Sequence, residues 1–514
     1  STELGLDTRV ITRKGSERII RKAFEIAARR DGAPADGKRR VTCVAKDNVL
    51  DGCRLFVEIF HVSNNTLPSR HGDDAVYFNS AFNINKFKIS SSQIEEYRVD
   101  NHKNAIKPPL YSFFLAQFIN PNKNVNLECV YKKTIPANCL KFVQEAKKIN
   151  LYIHYFHVFL IYIIILTITK NNVLSFLGGF LLLSSTYFLK TTNLFLTENF
   201  SSLLLLVHSF GFYMMFSTKK NRSAYLVISS LTLGLLILTK AIFLYWFYFL
   251  LVFFAVYILK RKLFNFIKIN FNYFFYYLNE KKIIYFFLLI LIMITPWQLR
   301  NFIDKGEFKI SLQGGNVIAE RVEYLKTKTE DIKYGILFYT PFKSIKDRYK
   351  DELLKTSFMF DENSLNSHYV NSDNFEKGYV LSELKWNEKN KSDKIFEKSL
   401  EIIKKNPIKH LYLTFMFYVR GIFLETQNNE YPIYLQIISS AVHWSSILLT
   451  PIIFFYKLLL VDKKILLIMP STFIIIAYSF FTDFEPRYGS IISSTYILII
   501  MIYLNNIFKK LFNK

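Results

Sequence analysis

Two stretches decide the fold: IIYFFLLILIMITPW at 283–297 and GSIISSTYILIIMIY at 489–503. Neither contains a charged residue. Apolar segments of about 20 residues are typical of helices that cross the ~30 Å hydrocarbon core of a bilayer. The sequence therefore predicts a membrane protein with α-helical spans.

Further apolar segments of this kind follow residue 150. The predicted spans are 151–169, 173–189, 199–216, 224–239, 241–259, 283–297, 437–456, 465–481 and 489–508. Together they predict an all-α, multi-pass helical bundle of about nine spans. Its membrane parts are expected at 151–297 and 437–514.

The composition excludes several other classes of protein. The chain has 514 residues, a net charge of +25, 51% hydrophobic and 17% aromatic residues. A simple soluble enzyme, a disordered chain and a disulfide scaffold do not fit these values. The four cysteines, at 43, 53, 129 and 139, show no CxxC spacing, which argues against a zinc ribbon or a redox pair. The positive charges cluster in short loops between spans, so they indicate a membrane surface rather than nucleic acid.

Those loops also predict the orientation. Lysines and arginines concentrate at 219–222, 260–282, 463–464 and 509–514, which places these segments in the cytoplasm. Alternating spans then put 63–150, 190–198, 298–436 and 482–488 on the extracytoplasmic face. Within this outer region, 407–424 is apolar but would break the alternation if it spanned. It is predicted to be an interfacial helix with Arg420 facing water or headgroups.

The alternation leaves residues 63–150 outside the membrane with no predicted span before them. An intact protein of this kind needs one more helix just before His71. The first native span is therefore expected to be missing, and the N-terminal segment offers no signal peptide in its place.

Residues 1–62 differ in composition from the remainder. They hold 9 Arg and 4 Lys, whereas residues 63–514 hold 9 Arg and 44 Lys. The sequence of this segment predicts a helix, a loop, a buried strand at 41–46 and a second helix, which together make a short α/β fragment.

This fragment also resembles a known family. TRKGSERIIRKAFEIA and KRRVTCVAKDNVLDGCRLFVEIF resemble the β-decarboxylating dehydrogenases, the isocitrate and isopropylmalate dehydrogenase family. The resemblance implies a catalytic Lys46 and a substrate- or cofactor-binding Asn48. The substrate arginines, metal-binding aspartates and nucleotide loop are lacking, so we interpret this fragment as fused and inert.

The predicted outer segments carry the polar motifs. In chain order they are GDDAVYFNSAFNI (72–84), IKPPLYSFFLAQF (106–118), TTNLFLTENFSSLLLL (191–206), LTLGLLILTKAIFLY (231–245), PWQLRNFIDKGEF (296–308) and FEPRYGS (484–490). Their order resembles the GT-C superfamily of multi-pass glycosyltransferases over roughly residues 71–510. It is similar above all to bacterial relatives of the protein O-mannosyltransferases and lipid A aminoarabinose transferases, in glycosyltransferase family 39.

The resemblance implies a transferase that takes a sugar from a polyprenyl-phosphate donor. The acceptor would be a lipid, glycan or protein at the outer face of a bacterial inner membrane. An acceptor hydroxyl must lose its proton, which needs a carboxylate, and the departing lipid phosphate needs fixed cations. Asp73 matches the catalytic acid and Asp74 its acidic neighbour. The residues expected to bind substrate are Lys107, Glu198, Lys240, Arg300, Arg487 and Tyr488.

Each of these residues also has a purely structural interpretation. GDD could be a solvated turn, and Lys107-Pro-Pro could simply start a helix. Glu198 could stabilise a helix N-terminus, and Lys240 could snorkel to the interface. Arg300 with Asn301 could anchor a span end, and Arg487 could pair locally with Glu485. His154 and His157 have a spacing that some metal sites use, but packing explains them better.

Two other membrane functions compete with a glycosyltransferase: a polymerase or ligase of surface polysaccharide, and a non-catalytic transporter. A dehydrogenase activity of residues 1–62 is a remote alternative. The sequence indicates no required cofactor, leaves a divalent metal open and gives no sign of a nucleic-acid partner.

Overall fold

The computed structural model of the chain describes residues 13–29, 41, 73–91, 107–119, 137–192, 194–218, 221–263, 280–326, 328–356, 391–423, 433–460, 462–482 and 484–512. Within these ranges the secondary structure consists of nineteen α-helices and one 3₁₀ turn at Tyr324–Lys326, and no strand occurs.

The helices from the N-terminus to the middle of the chain are α1 (Arg13–Arg29), α2 (Asp73–Phe87), α3 (Leu110–Ala116), α4 (Ala137–Thr169), α5 (Asn172–Leu183), α6 (Thr186–Thr192), α7 (Glu198–Ser217), α8 (Arg222–Thr239), α9 (Phe243–Leu263) and α10 (Glu280–Lys305). Those that follow are α11 (Gly314–Glu323), α12 (Thr329–Phe338), α13 (Lys343–Thr356), α14 (Lys391–Lys405), α15 (Pro407–Phe423), α16 (Ile433–Leu459), α17 (Ile465–Phe481), α18 (Pro486–Ser490) and α19 (Ser493–Phe512).

Several of these helices can cross a membrane. In the described part of the chain, five are long and apolar enough: α7, α8 and most of α4, α10 and α16. The pair α5 and α6, bent by 54°, would make a sixth. The described part of the chain is thus all-α, as predicted, and it contains helices that could cross a membrane. The predicted spans at 241–259 and 465–481 correspond to shorter apolar helices, and α19 overlaps the one at 489–508. The count of nine stays a prediction.

Helix α7 lies at the centre of the bundle. It is the most buried of the five candidate spans and packs against α4, α8 and α17. It lies close to α8 at Gly211, where an added Cβ would be 3.3 Å from the backbone nitrogen of Ser229. Small residues at such crossings let helix backbones come together in membranes. The central helix is therefore fixed firmly, and its first residue is Glu198.

Helix α15 corresponds to the predicted interfacial helix at 407–424. One face exposes Ile408, Leu411 and Phe415, while the other packs on α17 and α18. The prediction for Arg420 is wrong, because this side chain is fully buried. Its guanidinium lies 5.7 Å from the ring of Tyr339 and 5.6 Å from that of Phe417. Aromatic faces attract a desolvated cation, which explains how the fold accommodates it.

The N-terminal fragment is described only in part. Helix α1 occupies the position of its first predicted helix, and Ile20 is buried. The predicted strand at 41–46, apart from Val41, and the proposed dehydrogenase residues Lys46 and Asn48 lie outside the described residues.

Candidate active site

The first acidic motif begins a helix rather than a turn. Asp73 and Asp74 are the first two residues of α2, where carboxylates interact favourably with the helix dipole. The solvated-turn interpretation of GDD is therefore wrong. Helix α2 packs against α3, with the rings of Tyr77 and Tyr111 edge to face at 5.3 Å. This packing fixes the end of α2 that carries Asp73.

Lys107 pairs directly with Asp73. Its Nζ lies 2.6 Å from Asp73 Oδ1, and the Lys107 side chain is 11% exposed. The prolines that follow lead into α3, which starts at Leu110. A helix start and an ion pair therefore coexist in this motif, and the rigid Pro-Pro segment holds the ammonium group beside the carboxylate.

Arg487 approaches the same carboxylate from the other end of the chain. Its Nη2 lies 3.6 Å from Asp73 Oδ2, and its Nε donates to Glu485 Oε2 at 2.5 Å. The Arg487 guanidinium also donates to the hydroxyl of Tyr488 at 3.0 Å. The local Glu485–Arg487 pair thus occurs together with a contact between Arg487 and Asp73, and donor binding by Arg487 stays a prediction.

Glu198 and Lys240 form a second, deeper ion pair. Glu198 Oε1 lies 3.1 Å from Lys240 Nζ, and the Glu198 side chain is 2% exposed. Lys240 directly follows α8, and its ammonium sits 4.8 Å from the ring of Tyr488. Lys240 is therefore held inside the protein by Glu198 and does not merely snorkel to the interface. Tyr488 connects the two ion pairs.

Asp73, Lys107, Glu198, Lys240, Glu485, Arg487 and Tyr488 will be called the acid–base cluster. It contains three carboxylates and three cations, so its formal charge is balanced. Burial acts to raise the pKa of Asp73, but Lys107 and Arg487 outweigh it and lower the pKa to about 2. Burial lowers the pKa of Lys240, with Glu198 opposing the shift. Burial also acts to lower the pKa of Arg487, but Glu485 and further anionic neighbours raise it well above its usual value.

Asp74 faces a different partner. It is 5% exposed and interacts electrostatically with Lys147 of α4, which is 2% exposed. Successive residues of a helix point about 100° apart, so adjacent carboxylates need not share a site. The structure brings Asp73 into the acid–base cluster and directs Asp74 toward α4.

Arg300 makes its described contacts within its own helix. Its Nε lies 3.0 Å from Asp304 Oδ2, and its Nη1 donates to Asn301 Oδ1 at 2.8 Å. The guanidinium also lies over the ring of Trp297, at 4.6 Å. These contacts fit an anchor at the end of a span, and a role of Arg300 in substrate binding stays a prediction.

Two members of the site were not selected from the sequence. Glu485 holds Arg487, and its position two residues earlier was the available signal. Tyr77 lies one helical turn after Asp73, a spacing that places both on one face. Its buried hydroxyl bonds to Thr197, next to Glu198. Tyr77 therefore ties α2 to the start of α7.

His154 and His157 do not form a metal site with other described residues. Both are fully buried against the ring of Phe188, at centroid distances of 5.8 and 5.7 Å. In the described ranges, no group of three or more His, Cys, Asp or Glu side chains could hold a metal ion. The packing interpretation of this pair agrees with these contacts.

Comparison with known proteins finds one short match. No family model and no solved structure matches the chain. Homoisocitrate dehydrogenase of Methanocaldococcus jannaschii is 52% identical over 56 residues, which are 10% of this chain and 14% of that protein. This length is close to that of residues 9–62, the segment that resembles the dehydrogenases. The chain thus spans a small part of this curated relative, and the match says nothing about the acid–base cluster.

Proposed function

We propose that the chain is a membrane glycosyltransferase that moves a sugar from a polyprenyl-phosphate donor to a lipid, glycan or protein acceptor. The observation that supports it best is the position of Asp73, between Lys107 at 2.6 Å and Arg487 at 3.6 Å. A carboxylate flanked by two cations, close to the ends of α7 and α8 that carry Glu198 and Lys240, offers a base and a phosphate site together. The order of motifs that resembles the GT-C superfamily points the same way.

In the proposed reaction, an acceptor hydroxyl attacks the anomeric carbon of the sugar. The new bond forms as the bond between that carbon and the phosphate oxygen breaks, and the hydroxyl proton passes to Asp73. The phosphate oxygen keeps the electron pair. Lys107 and Arg487 stabilise its developing charge, and the planar guanidinium can bind two oxygens at once.

The resting cluster holds Asp73 in a form that is a weak base. A carboxylate with a pKa of about 2 accepts a proton poorly near neutral pH. The donor phosphate would compete with Asp73 for Lys107 and Arg487. As these cations turn toward phosphate, the pKa of Asp73 rises and the carboxylate becomes a better base. Donor binding thus prepares the base for the acceptor.

The location of the charges in the acid–base cluster supports this proposal over a transporter. A transporter is expected to carry ionisable residues near the middle of its spans. Asp73 and Glu198 instead begin helices, Lys240 follows one, and Arg487 lies in the short α18. A polymerase or ligase of surface polysaccharide remains a second candidate, because it would use the same cluster on a larger acceptor.

The proposal includes about nine spans in a bacterial inner membrane, with the acid–base cluster on the extracytoplasmic face. Single cysteines at Ser217 and Ser344, both exposed, test this orientation in a chain whose four native cysteines are replaced by serine. We expect an impermeant maleimide to label Ser344→Cys in intact cells, and Ser217→Cys only after permeabilisation. Equal labelling of both in intact cells would contradict the orientation.

The activity is tested with the full chain in lipid vesicles that contain a polyprenyl-phosphate-linked hexose, with a bacterial membrane extract as the source of acceptor hydroxyls. Release of free polyprenyl phosphate, followed by mass spectrometry, reports transfer to any acceptor, because every transfer frees the same lipid phosphate. We expect release in the wild type and the same rate in Lys46→Ala. No release, together with NAD-dependent oxidation of a malate-type substrate that Lys46→Ala abolishes, would support the dehydrogenase alternative instead.

A further inference from the structure

Arg321 of α11 is a fully buried cation that the proposed chemistry does not use. A guanidinium has five N–H donors and stays charged in proteins, so its burial is costly unless the donors are bonded. A buried arginine of this kind fixes the positions of the groups that accept its hydrogen bonds. The acceptors of Arg321 therefore indicate which segments it positions.

The partners of Arg321 lie on two other elements. Its Nη2 donates to Thr414 Oγ1 at 2.7 Å, and its Nε donates to His410 Nδ1 at 3.4 Å, both on α15. Burial, with a further contribution from Arg321, lowers the pKa of His410 to about 4, so the ring is neutral and its Nδ1 can accept. The third contact is from Nη1 to the backbone carbonyl of Thr482.

Thr482 caps the C-terminus of α17. Carbonyl groups at a helix end lack partners within the helix, so a buried cation there fixes the direction in which the chain leaves. Glu485 and Arg487 follow Thr482 by three and five residues. Arg321 thus holds the start of the segment that delivers part of the acid–base cluster.

A second contact holds the same segment against α15. The ring of Phe484 lies so close to Gly421 that an added Cβ would come within 2.3 Å of it. His443 of α16 contacts the carbonyl of Gly421 through Nε2 at 3.1 Å. Thr482 and Phe484 are therefore both held, Thr482 by Arg321 through a polar contact and Phe484 by packing on Gly421 of α15.

We infer that Arg321 is a positioning residue that sets where Arg487 meets Asp73 and the donor phosphate. The ion pair between Arg487 and Asp73 spans 3.6 Å, so a small shift of the segment would break it or remake it elsewhere. Misplacement of a binding group by about 1 Å can cost on the order of 10²-fold in rate. The claim that Arg321 affects binding of the donor phosphate rests on the proposed function. The claim that Arg321 positions residues 484–488 does not.

Hydrogen–deuterium exchange of the full chain without substrate tests whether Arg321 positions residues 484–488. We expect amides at 484–492 to exchange about tenfold faster in Arg321→Met and less so in Arg321→Lys, because local opening raises exchange without unfolding the bundle. Peptides from α7 and α8 should not change. Arg222→Met is the matched control, since Arg222 also donates to the carbonyl of a helix-capping threonine, Thr218, at 2.9 Å.

The kinetics of sugar transfer test whether Arg321 affects binding of the donor phosphate. We expect Arg321→Met to raise the donor KM about tenfold and to lower kcat less, with partial rescue by lysine and no effect of Arg222→Met. Unchanged exchange at 484–492 in both Arg321 variants would overturn the inference. Faster exchange in every peptide of both variants would also overturn it, because the effect would then not be specific to this segment. A wild type that transfers no sugar would contradict the proposed function alone, because the exchange result stands without it.

Discussion

Replacing Asp73 by asparagine should lower the turnover of sugar transfer by ~10²–10⁴-fold, the usual contribution of a general base. Asparagine keeps the size of the side chain and can still accept a bond from Lys107, but it cannot take a proton at the acidity of the site. Donor binding should change much less and become slightly tighter, since Lys107 and Arg487 remain and no charged carboxylate competes for them. The measurement is kcat and donor KM for polyprenyl phosphate release in vesicles.

Asp74→Asn is the matched control for this variant. Asp74 has the same chemistry and adjoins Asp73, but it is buried and interacts with Lys147 of α4. Its replacement weakens the interaction with a buried ammonium group and should lower stability, while the kcat of the molecules that remain folded stays near the wild-type value. Loss of turnover in Asp74→Asn with normal turnover in Asp73→Asn would transfer the role of base to Asp74. Normal turnover in both would contradict the mechanism.

The pH dependence of the wild type adds a sharper test of the same residue. The acidic limb of kcat/KM reports the free enzyme, and that of kcat reports the complex with substrate. Asp73 has a pKa of about 2 in the resting cluster, so its ionisation should not limit kcat/KM above about pH 3. If donor phosphate draws Lys107 and Arg487 away, the limb of kcat should lie at higher pH. Coincident limbs would show that the donor leaves Asp73 paired as before.

The sequence predicted the helical membrane character better than the limits of individual helices. Long apolar runs identify spans because hydrocarbon admits little else, but hydropathy does not register a bend. The predicted span at 173–189 is broken near Ser184 into α5 and α6, at 54°. Ser184 Oγ donates to the carbonyl of Phe180 at 2.8 Å, a back-bond of the kind that often bends helices.

The sequence selected most residues of the acid–base cluster, but it missed Glu485 and included Arg300, and it did not predict the geometry. Motif order selected Asp73, Lys107, Glu198, Lys240 and Arg487, and the structure places them in one cluster. The sequence did not predict that Asp73 and Asp74 face different partners, because the direction of each side chain depends on where α2 begins and packs.

For Arg420, the prediction from the sequence was wrong. An arginine in an apolar stretch predicts exposure, since burying a charge is costly. Its position depends instead on the ring of Tyr339, which α15 meets only in the folded protein, and on that of Phe417 one turn away. A tertiary contact of this kind leaves no local pattern in the sequence.

Arg487→Ala should have the second largest effect, mainly on the donor. Removing a fixed charged donor from a developing oxyanion typically costs about 3–4 kcal/mol, so kcat/KM should fall by ~10²–10³-fold. Glu485, which now accepts from Arg487 at 2.5 Å, would also lose its partner and oppose an incoming phosphate. Loss of the guanidinium relieves Asp73 of one cation and makes it a slightly better base. This gain is the smaller effect, because Lys107 stays at 2.6 Å and still stabilises the carboxylate.

Two further variants decide whether charge or geometry matters at position 487. Arg487→Lys keeps the charge but loses the planar fork that can hold two phosphate oxygens, so its donor KM should lie between those of the wild type and Arg487→Ala. Arg348→Ala, at an exposed arginine of α13 outside the cluster, should leave both constants unchanged. A donor KM in Arg487→Ala equal to that of the wild type would place the lipid phosphate away from Arg487. The carboxylate of Asp73 would then be held by two cations for structural reasons, and the balance of charge in the cluster, rather than donor binding, would explain its arrangement.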